Sequence, residues 1–394
     1  MTAVRIALVG GPMYDRLYDA IPAFERASGV HVEIVAQLPH PELNAFVKEA
    51  FESGVALDAI STHTKYSPSQ AHWLRAIDDV MPDDQLRDLL PRPAELSRID
   101  GRLMQIPRNL DVRLMHYRTD LLDHAPATWQ ELVDMATRLT RRPSFSGFLF
   151  PGRDSGLFGT FYELLVGAGG DLFDDELGPA FASDAGRWAV EQIRDLYQRV
   201  TPRDLVDWHY DDISLAFRAG DAAMVADWPG SYHLYRDPAT CRVADRVGLG
   251  LLPAGPAGTR AAYAGCHSFA ITRGARNPDG AAALIRHLTS FESQLGEARQ
   301  GAIPCRASAL DAVRAEAAGN SLIAERWRLL AETEKVMIIP PRFAAYPRCE
   351  DALWRNVQQG MMGSVSPADA VRIAAAEVHA IVTAHGPVRA RENV

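Results

Sequence analysis

The first sixty residues alternate short apolar runs with amphipathic segments. The runs Val4–Val9, Val30–Ala36 and Leu57–Ser61 are typical of buried strands, and a Gly-Gly-Pro turn follows the first. Between them, residues 15–28 and 41–53 place apolar side chains three to four positions apart, which predicts two helices. The order strand, helix, strand, helix, strand predicts an α/β fold with a parallel sheet.

The rest of the chain also contains predicted strands and helices, but they alternate less regularly. We predict further strands at Gly147–Phe150, Ala222–Ala226 and Arg246–Leu252. Later helices are predicted at residues 279–288, 291–300, 307–317, 322–333, 349–360 and 367–383. A chain of 394 residues is long enough for two lobes with separate cores.

Charge and cysteine usage exclude several classes of protein. The 41 Lys and Arg against 50 Asp and Glu give a net charge of −9, which argues against a nucleic-acid partner. No stretch approaches the ~20 apolar residues that span a bilayer. Cys241, Cys266, Cys305 and Cys349 form no CxxC and no metal-finger spacing, so we predict no structural zinc site. We also expect no other metal and no cofactor. If one disulfide forms, we expect Cys266–Cys305.

Ligands of parallel sheets bind outside the carboxyl ends of the strands. In this sequence those ends carry polar and aromatic side chains of the kind that suit hydroxyl-rich ligands: Met13, Tyr14, Gln37, His40, Thr62, His63, Thr64 and Tyr66. Any one of them has the alternative of being a solvated loop residue. Three loops with the same chemistry favour a binding site.

Enzyme signatures are absent from the sequence, including GxSxG, HExxH and GxGxxG after a strand. The pair Cys266-His267 is a poor catalytic pair, because neighbours in an extended segment point to opposite faces. Asp111 and Asp227 suit an acid–base pair across a sugar, and equally suit acceptors for sugar hydroxyls. The sequence leaves that choice open.

Aromatic residues beside acids are the more telling pattern. They occur in Trp208-His209-Tyr210-Asp211 and in Asp227-Trp228-Pro229-Gly230. An aromatic face packs on the C–H face of a sugar while carboxylates accept from its hydroxyls, although either tryptophan has the alternative of filling a core. Four arginines flank predicted loops, where they suit bidentate donation or plain surface exposure: Arg108, Arg113, Arg153 and Arg342.

Residues 20–32, Ala-Ile-Pro-Ala-Phe-Glu-Arg-Ala-Ser-Gly-Val-His-Val, resemble the opening of the extracellular solute-binding proteins, family 1. These are the carbohydrate-binding components of ABC importers, similar to maltose-binding protein. The resemblance continues through residues 57–62, 100–108, 117–121, 128–132, 217–224 and 277–282 and the final helices. It covers nearly the whole chain, and the order and spacing of these motifs carry it.

The resemblance implies a periplasmic-binding-protein-like type II fold, in which a hinge joins two α/β lobes and the ligand lies in the cleft between them. Residues 1–112 with 264–307 would form the N-terminal lobe, and residues 113–263 with 308–394 the C-terminal lobe. Carried over by position, the contacts expected are Met13, Tyr14, Thr62–Tyr66, Asp111, Arg153, Asp154, Asp227, Trp228, Gly230, Gly265, Cys266, His267, Arg342 and Tyr346.

The implied function is binding of a small carbohydrate and its delivery by hinge closure to the membrane subunits of an ABC transporter. The ligand would be a monosaccharide, polyol, sugar acid or short oligosaccharide, because the loop 152–158 is more charged and Gly-rich than the aromatic segment of maltodextrin binders. We expect a monomer in the periplasm or outside the cell. The chain as written has no export signal, so we expect it to be trimmed to its mature domain. Alternatives are a transferase that uses Cys266 and a sensor that presents bound sugar to a receptor.

Overall fold

A computed structural model describes residues 3–385 of the protein. The strands are β1 (Val4–Val9), β2 (Val32–Leu38), β3 (Ala59–His63), β4 (Arg98–Ile99), β5 (Arg102–Leu103), β6 (Ile106–Val112), β7 (Leu114–Arg118), β8 (Met224–Asp227), β9 (Val247–Gly250), β10 (Ala262–Ile271), β11 (Ile303–Pro304) and β12 (Met337–Ile338).

The helices are α1 (Ile21–Ser28), α2 (His40–Glu52), α3 (Ser67–Gln70), α4 (Asp83–Arg87), α5 (Pro91–Leu96), α6 (Trp129–Leu139), α7 (Asp154–Gly167), α8 (Asp184–Val200), α9 (Tyr210–Ala219), α10 (Tyr232–Arg236), α11 (Pro278–Leu288), α12 (Phe291–Arg299), α13 (Ala307–Glu316), α14 (Ser321–Glu334), α15 (Tyr346–Met362) and α16 (Pro367–His385). Short 3-10 helices cover Asp15–Ala20, Arg203–Asp207, Pro229–Ser231 and Ala244–Arg246. No helix within the described residues is both long enough and apolar enough to cross a membrane.

The chain folds as two compact units. Unit 1 contains the residues up to Asp111 together with Gly265–Ala324, and unit 2 contains Val112–Ala264 together with the residues from Glu325 onward. Residues 308–324, which the sequence analysis assigned to the C-terminal lobe, therefore lie in unit 1. The physical reason is that α13 packs against α12 and β11 of that unit.

Unit 1 is built on a sheet with the strand order β11-β6-β10-β3-β1-β2. Strand β1 pairs in parallel with β2 and β3, whereas β10 runs antiparallel to β3 and β11 antiparallel to β6. The α/β fold predicted from the first sixty residues is confirmed. Because β1, β2 and β3 are parallel, their carboxyl ends lie at one edge of the sheet.

Strand β1 is apolar along its length because both of its faces are buried. Ile6 and Leu8 pack with residues of α1 and α11, while Ala7 and Val9 pack with the Leu43 face of α2. Helix α2 forms because its apolar residues recur at helical spacing, and Pro at its second position suits a first turn. Because both faces of β1 are covered, helices pack on each side of the sheet.

Unit 2 contains the antiparallel sheet β8-β7-β9 and a set of mutually packed helices, α7, α8, α15 and α16. Helix α7 is buried on nearly every side, which explains its apolar sequence Leu-Phe-Gly-Thr-Phe-Tyr. The strands predicted around Ala222–Ala226 and Arg246–Leu252 form, shifted or shortened, as β8 and β9.

The strand predicted at Gly147–Phe150 does not form. The backbone makes only isolated bridges to β8 and its approach, Ser146 with Ala222 and Leu149 with Val225. Between these bridges the Gly147 N–H donates to Val200 O at 3.2 Å. The Gly147 Cα lies so close to helix α6 that a Cβ would be 2.0 Å from Ala136 O. The chain is drawn onto α6 at this point, and the ladder is interrupted.

Candidate functional site

Three imidazole rings of unit 1 lie together. His40 starts α2, His63 ends β3, and His267 lies on β10. Their ring centroids are 5.5 Å apart for His40–His63, 5.0 Å for His63–His267 and 5.1 Å for His40–His267. We call these residues the histidine cluster. It forms at the predicted sheet edge, because the carboxyl end of β3 and the start of α2 meet there.

The backbone fixes two of the three rings. Antiparallel pairing of β3 with β10 places His63 directly opposite His267. Gly265 lies under the His63 ring, and a Cβ there would approach His63 Cε1 to 2.3 Å and Nε2 to 2.4 Å. A side chain at position 265 would therefore displace the ring. The predicted contact Gly265 is a positioning residue for His63.

Two tyrosines and a lysine border the histidine cluster. The Tyr14 hydroxyl lies 3.0 Å from His267 Nε2, and the Tyr66 ring meets His40 edge-on at 5.3 Å. Lys65 Nζ lies 4.6 Å from the Tyr66 centroid, a cation–π distance. This rim combines apolar ring faces with polar tips.

The carboxylate of Asp111 lies beside His267 of the cluster. Its Oδ2 lies 3.4 Å from His267 Nε2, and its Oδ1 accepts from Asn109 Nδ2 at 2.8 Å. Burial raises the pKa of Asp111 to about 7. Burial lowers the pKa of His40 to about 4 and lowers the pKa of His267 well below its ordinary value. These two imidazoles are therefore neutral at neutral pH.

Other predicted residues of unit 1 serve the scaffold. Arg108 is buried, donates to Glu297 Oε1 at 2.7 Å and binds the carbonyl of Tyr14 at 2.7 Å, so it positions Tyr14. The Gln37 amide donates to Asp15 at 2.7 Å, away from the cluster. The remaining placements are Thr62 donating to Gln70 at 2.6 Å, Thr64 accepting from the Cys266 N–H at 3.3 Å, and Met13 half-buried after β1.

All four cysteines are buried free thiols. The sulfur atoms of Cys266 and Cys305 lie 3.6 Å apart, so the pair considered for a disulfide is adjacent but unbonded. Cys266 has no exposed surface. Burial raises the pKa of the Cys305 thiol well above its ordinary value. A thiol without access to solvent is a poor nucleophile.

Unit 2 presents a group of aromatic rings around Trp228. The Trp228 ring lies 5.2 Å from Tyr210 and 5.7 Å from Tyr263, between centroids. The Arg113 guanidinium lies 6.0 Å from the Trp228 ring. We call Tyr210, Trp228 and Tyr263 the aromatic wall. Its tilted and edge-on arrangements are the favourable ones for aromatic pairs.

A buried ion pair braces the aromatic wall. Arg113 Nε donates to Glu163 Oε1 at 2.9 Å, and the same oxygen accepts from the Tyr263 N–H at 2.8 Å. Both charged side chains are almost fully buried. Against the lowering effect of burial, the Glu163 carboxylate raises the pKa of Arg113. The guanidinium is therefore permanently charged beside Trp228.

Asp227 holds the backbone of the wall in place. It accepts from the Tyr235 hydroxyl and from the Trp228 N–H, the latter at 2.8 Å. Burial raises its pKa to about 6. Gly230 lies in the 3-10 turn that follows. Asp227 acts here as a positioning residue, because its oxygens are engaged by the protein.

The remaining predicted residues of unit 2 are dispersed. Tyr346 donates to Glu350 at 2.6 Å and meets Phe158 edge-on at 6.2 Å. Arg153 binds the Asp154 carboxylate and the carbonyl of Asp207. Trp208 lines a cavity of about 770 Å³ that does not include the aromatic wall, and Arg342 is half-buried between β12 and α15.

Sequence reasoning missed two residues that contribute to the aromatic wall, Tyr263 and Glu163. Lys65 lies within the expected range Thr62–Tyr66, and Tyr210 belongs to the aromatic motif at residues 208–211. Tyr263 carries no local signal. Glu163 is the acid inside the apolar helix α7, a pattern that indicates a buried charged partner. Within residues 3–385, no group of three or more His, Cys, Asp or Glu side chains is arranged to hold a metal ion.

Comparison with known proteins adds to this geometry. Residues 19–321 match the family described as bacterial extracellular solute-binding protein. Over 96% of its length the chain is similar to the whole of the maltose-bound T. maritima MalE3 structure, with a TM-score of 0.88 and 26% identity.

Three curated relatives each match part of the chain. A probable ABC transporter-binding protein of Deinococcus radiodurans is 28% identical over 56% of this chain and 55% of its own length. A probable amino-acid ABC transporter periplasmic-binding protein, y4oP, of Sinorhizobium fredii is 22% identical over 78% of this chain and 73% of its own. A mannitol-binding protein of Pseudomonas aeruginosa is 24% identical over 55% and 52%. The matched segment thus spans about half the length of two of the three.

Proposed function

The chain belongs to the bacterial extracellular solute-binding proteins, and from that premise we propose that it binds a small carbohydrate and delivers it to the membrane subunits of an ABC importer. The ligand is a monosaccharide, polyol, sugar acid or short oligosaccharide, and the protein acts as a monomer in the periplasm or outside the cell. Hinge closure on ligand binding stays a prediction of the family resemblance.

The observation that carries this proposal is the likeness to a protein solved with maltose bound. It extends over 96% of the chain at 26% identity. A mannitol-binding protein among the relatives supports a polyhydroxylated ligand as well.

The chemistry of each unit supports the same ligand class. The aromatic wall provides ring faces, and Trp228 retains 8% of its surface exposed. Such faces pack on the apolar C–H faces of sugar rings. In unit 1, the Tyr14 hydroxyl and the histidine cluster provide hydrogen-bonding groups for hydroxyls. We propose each group, within its own unit, as a candidate ligand contact.

A transferase that uses Cys266 receives no support from the described residues. That thiol has no exposed surface, and its neighbour is a second thiol at 3.6 Å. Nucleophilic catalysis requires an accessible thiolate beside a base.

A thermal-shift screen against sugars, polyols, sugar acids, amino acids and polyamines tests the proposal. A ligand at ~100 times its Kd adds about 2.7 kcal/mol to the stability of the protein. We expect one strong hit among the sugars or polyols and no product formed. Hits among amino acids alone, the class named for the Sinorhizobium relative, would contradict a carbohydrate ligand.

Variants then test the two groups. Trp228→Ala and Asp111→Ala should each weaken binding of that hit by about 1–3 kcal/mol, through lost ring contact and lost hydrogen bonding. Trp354→Ala is the matched control. This tryptophan lies on α15 of unit 2, and its indole N–H donates to Asp351 on the same helix. Normal binding by both test variants would remove these residues from the site.

A further inference from the structure

Unit 2 contains a cavity that is separate from the aromatic wall. Its volume is about 770 Å³, and all of its lining residues lie between Arg142 and Asp221 in the sequence. They therefore belong to unit 2 alone. Small-molecule sites in proteins have volumes of about 300–1,000 Å³, so this cavity is large enough for a ligand of its own. We call it the Trp208 cavity, after the tryptophan that lines it.

The Trp208 side chain is available to a ligand. Its backbone is fixed, because its N–H donates to Leu205 O at 2.9 Å and its carbonyl accepts from the Gly152 N–H at 2.9 Å. The indole is half-buried, and among the described residues it has neither a ring partner nor a hydrogen-bond acceptor. It therefore offers the cavity a ring face and an N–H donor on a fixed backbone.

Two arginines line the same cavity. Arg142 Nη2 donates to Tyr197 O at 2.8 Å and to Thr201 O at 2.7 Å, so its guanidinium caps the C-terminal end of α8. The Arg203 guanidinium lies 5.9 Å from the Tyr197 ring. Both guanidinium groups are thus held at the same end of this helix.

The charge at this end of the cavity is positive. Burial lowers the pKa of Arg142 and the charge of Arg203 lowers it further, whereas the Tyr197 hydroxyl opposes them. The two guanidinium groups therefore lie close enough to repel each other. Asp204 and Asp221 also line the cavity, but among residues 3–385 no carboxylate lies within 4 Å of either guanidinium.

Ser146 adds a buried donor to the lining. It is only 8% exposed, and its backbone N–H and carbonyl pair with Asp221 O and the Ala223 N–H, both at 2.9 Å. Its hydroxyl has no hydrogen-bond partner among the described residues. A buried hydroxyl without a partner is unfavourable, so a ligand that accepts its proton is stabilised in the cavity.

The remaining lining favours a flat apolar body. Four apolar side chains complete it: Pro143, Leu149, Pro202 and Ala216. A carboxylate matches the planar fork of a guanidinium, and an aromatic ring packs on an indole face. The two aspartates disfavour a second anionic group on the same ligand.

From this juxtaposition we propose that the Trp208 cavity is a second binding site of the protein and takes an aromatic monocarboxylate. Arg142 and Arg203 bind the carboxylate, Trp208 packs on the ring, and the Ser146 hydroxyl is a further donor. None of these residues is a carbohydrate contact of the proposed function, so the second site stands independently of it.

Isothermal titration calorimetry with the full chain tests this site. The probes share a ring and differ in charge: indole-3-acetate, indole-3-acetamide and tryptamine, together with the smaller pair 4-hydroxybenzoate and 4-hydroxybenzamide. We expect at least one acid to bind at least about tenfold more tightly than its amide, because the carboxylate forms charge-assisted hydrogen bonds. Its Kd should rise with salt, and tryptamine should not bind.

Variants then separate charge from ring contact. Arg203→Gln removes one charge and leaves the carbonyl bonds of Arg142 in place, so the Kd of the acid should rise at least about tenfold while that of the amide stays the same. Trp208→Leu should weaken both. Arg199→Gln, at an exposed arginine of α8 that binds Asp195, is the matched control and should change neither. An unchanged melting temperature shows that each variant folds.

Three outcomes would overturn the second site. Equal binding of acid and amide, or tighter binding of tryptamine, would mean that the arginines do not recognise an anion. Acid binding that survives both Arg203→Gln and Trp208→Leu would place the acid elsewhere on the protein. Binding of none of the probes would remove aromatic carboxylates as the ligand class. All three leave the carbohydrate function untouched, because the sugar screen and Trp228→Ala test it separately.

Discussion

The two units of the protein present candidate ligand groups that differ in how burial treats their charge. In the histidine cluster, burial lowers the pKa of His40 and of His267, and both rings are neutral. Beside the aromatic wall, Arg113 is just as buried but keeps its charge, with Glu163 as its partner. The same loss of water thus produces neutral donors in one unit and a fixed ion pair in the other.

The difference follows from the ordinary pKa values of the two groups. An imidazole titrates near pH 6.5, so modest desolvation is enough to remove its proton. A guanidinium titrates above pH 12, so burial cannot neutralise it and a carboxylate must accompany it. In the histidine cluster burial thus leaves uncharged rings, whereas the guanidinium beside the aromatic wall keeps its charge.

The largest expected effect is on unit 2. Arg113→Ala leaves the Glu163 carboxylate buried without its partner, and we expect a loss of about 3–5 kcal/mol in the free energy of unfolding. Differential scanning calorimetry measures it. The control Arg199→Ala removes an exposed partner of Asp195 and should cost less than about 1 kcal/mol. Equal small losses would show that the aromatic wall does not depend on this pair.

Asp111 gives unit 1 a stability that depends on pH. Burial raises its pKa to about 7, whereas an unfolded aspartate titrates near 3.9. Between these pH values the unfolded chain releases a proton that the folded protein keeps, so the carboxyl costs ~1.4 kcal/mol of stability for each pH unit as the pH rises. Asp111→Asn does not titrate. Its stability relative to the wild type should rise from pH 4 to pH 7 and then level off.

Denaturation with urea at pH 4, 5.5, 7 and 8 measures this difference. Asp311→Asn changes an exposed carboxylate of unit 1 and should follow the wild type. A difference between Asp111→Asn and the wild type that stays flat across the range would mean that Asp111 is ionised in the folded protein throughout.

A further prediction concerns Gly265, which makes room for His63. Gly265→Ala places a Cβ within 2.4 Å of the ring, so the ring must move and we expect the Kd for the ligand to rise at least about tenfold. Gly274→Ala is the matched control, since no atom lies within 4 Å of the added methyl group. If both variants bind alike, the orientation of His63 does not matter for binding.

The sequence predicts the elements that depend on local patterns, and it does not predict those that depend on contacts between residues far apart in the chain. The alternation of apolar runs predicts β1 to β3, and their carboxyl ends then locate Tyr14, His40 and His63, because strand direction follows from the local pattern. The strand at 147–150 was predicted wrongly, since its ladder is interrupted by contacts with α6 and with the end of α8 that no local pattern encodes.

The functions of individual polar residues were harder to predict for the same reason. Arg108 and Asp227 were expected beside loops, where they suit ligand contact. They lie on β6 and at the end of β8, and their side chains bind Glu297 and Tyr235 instead. Glu163 and Tyr263 meet at 2.8 Å across a hundred positions of sequence. Burial and partner choice are properties of the folded chain, and the sequence reports only the residue type.

The smallest expected effect is a change in Kd at the aromatic wall that does not depend on pH. Trp228→Phe retains an aromatic face with less area, so we expect the Kd for the ligand to rise only about threefold. The ratio of variant to wild-type Kd should be the same at pH 7 and pH 8.5, because burial raises the pKa of Tyr210 above this range and Arg113 keeps its charge. Calorimetric titration at the two pH values measures the ratio. A ratio that changes with pH would mean that a group ionising between pH 7 and pH 8.5 acts on the aromatic wall, and its contrast with the histidine cluster would then not hold.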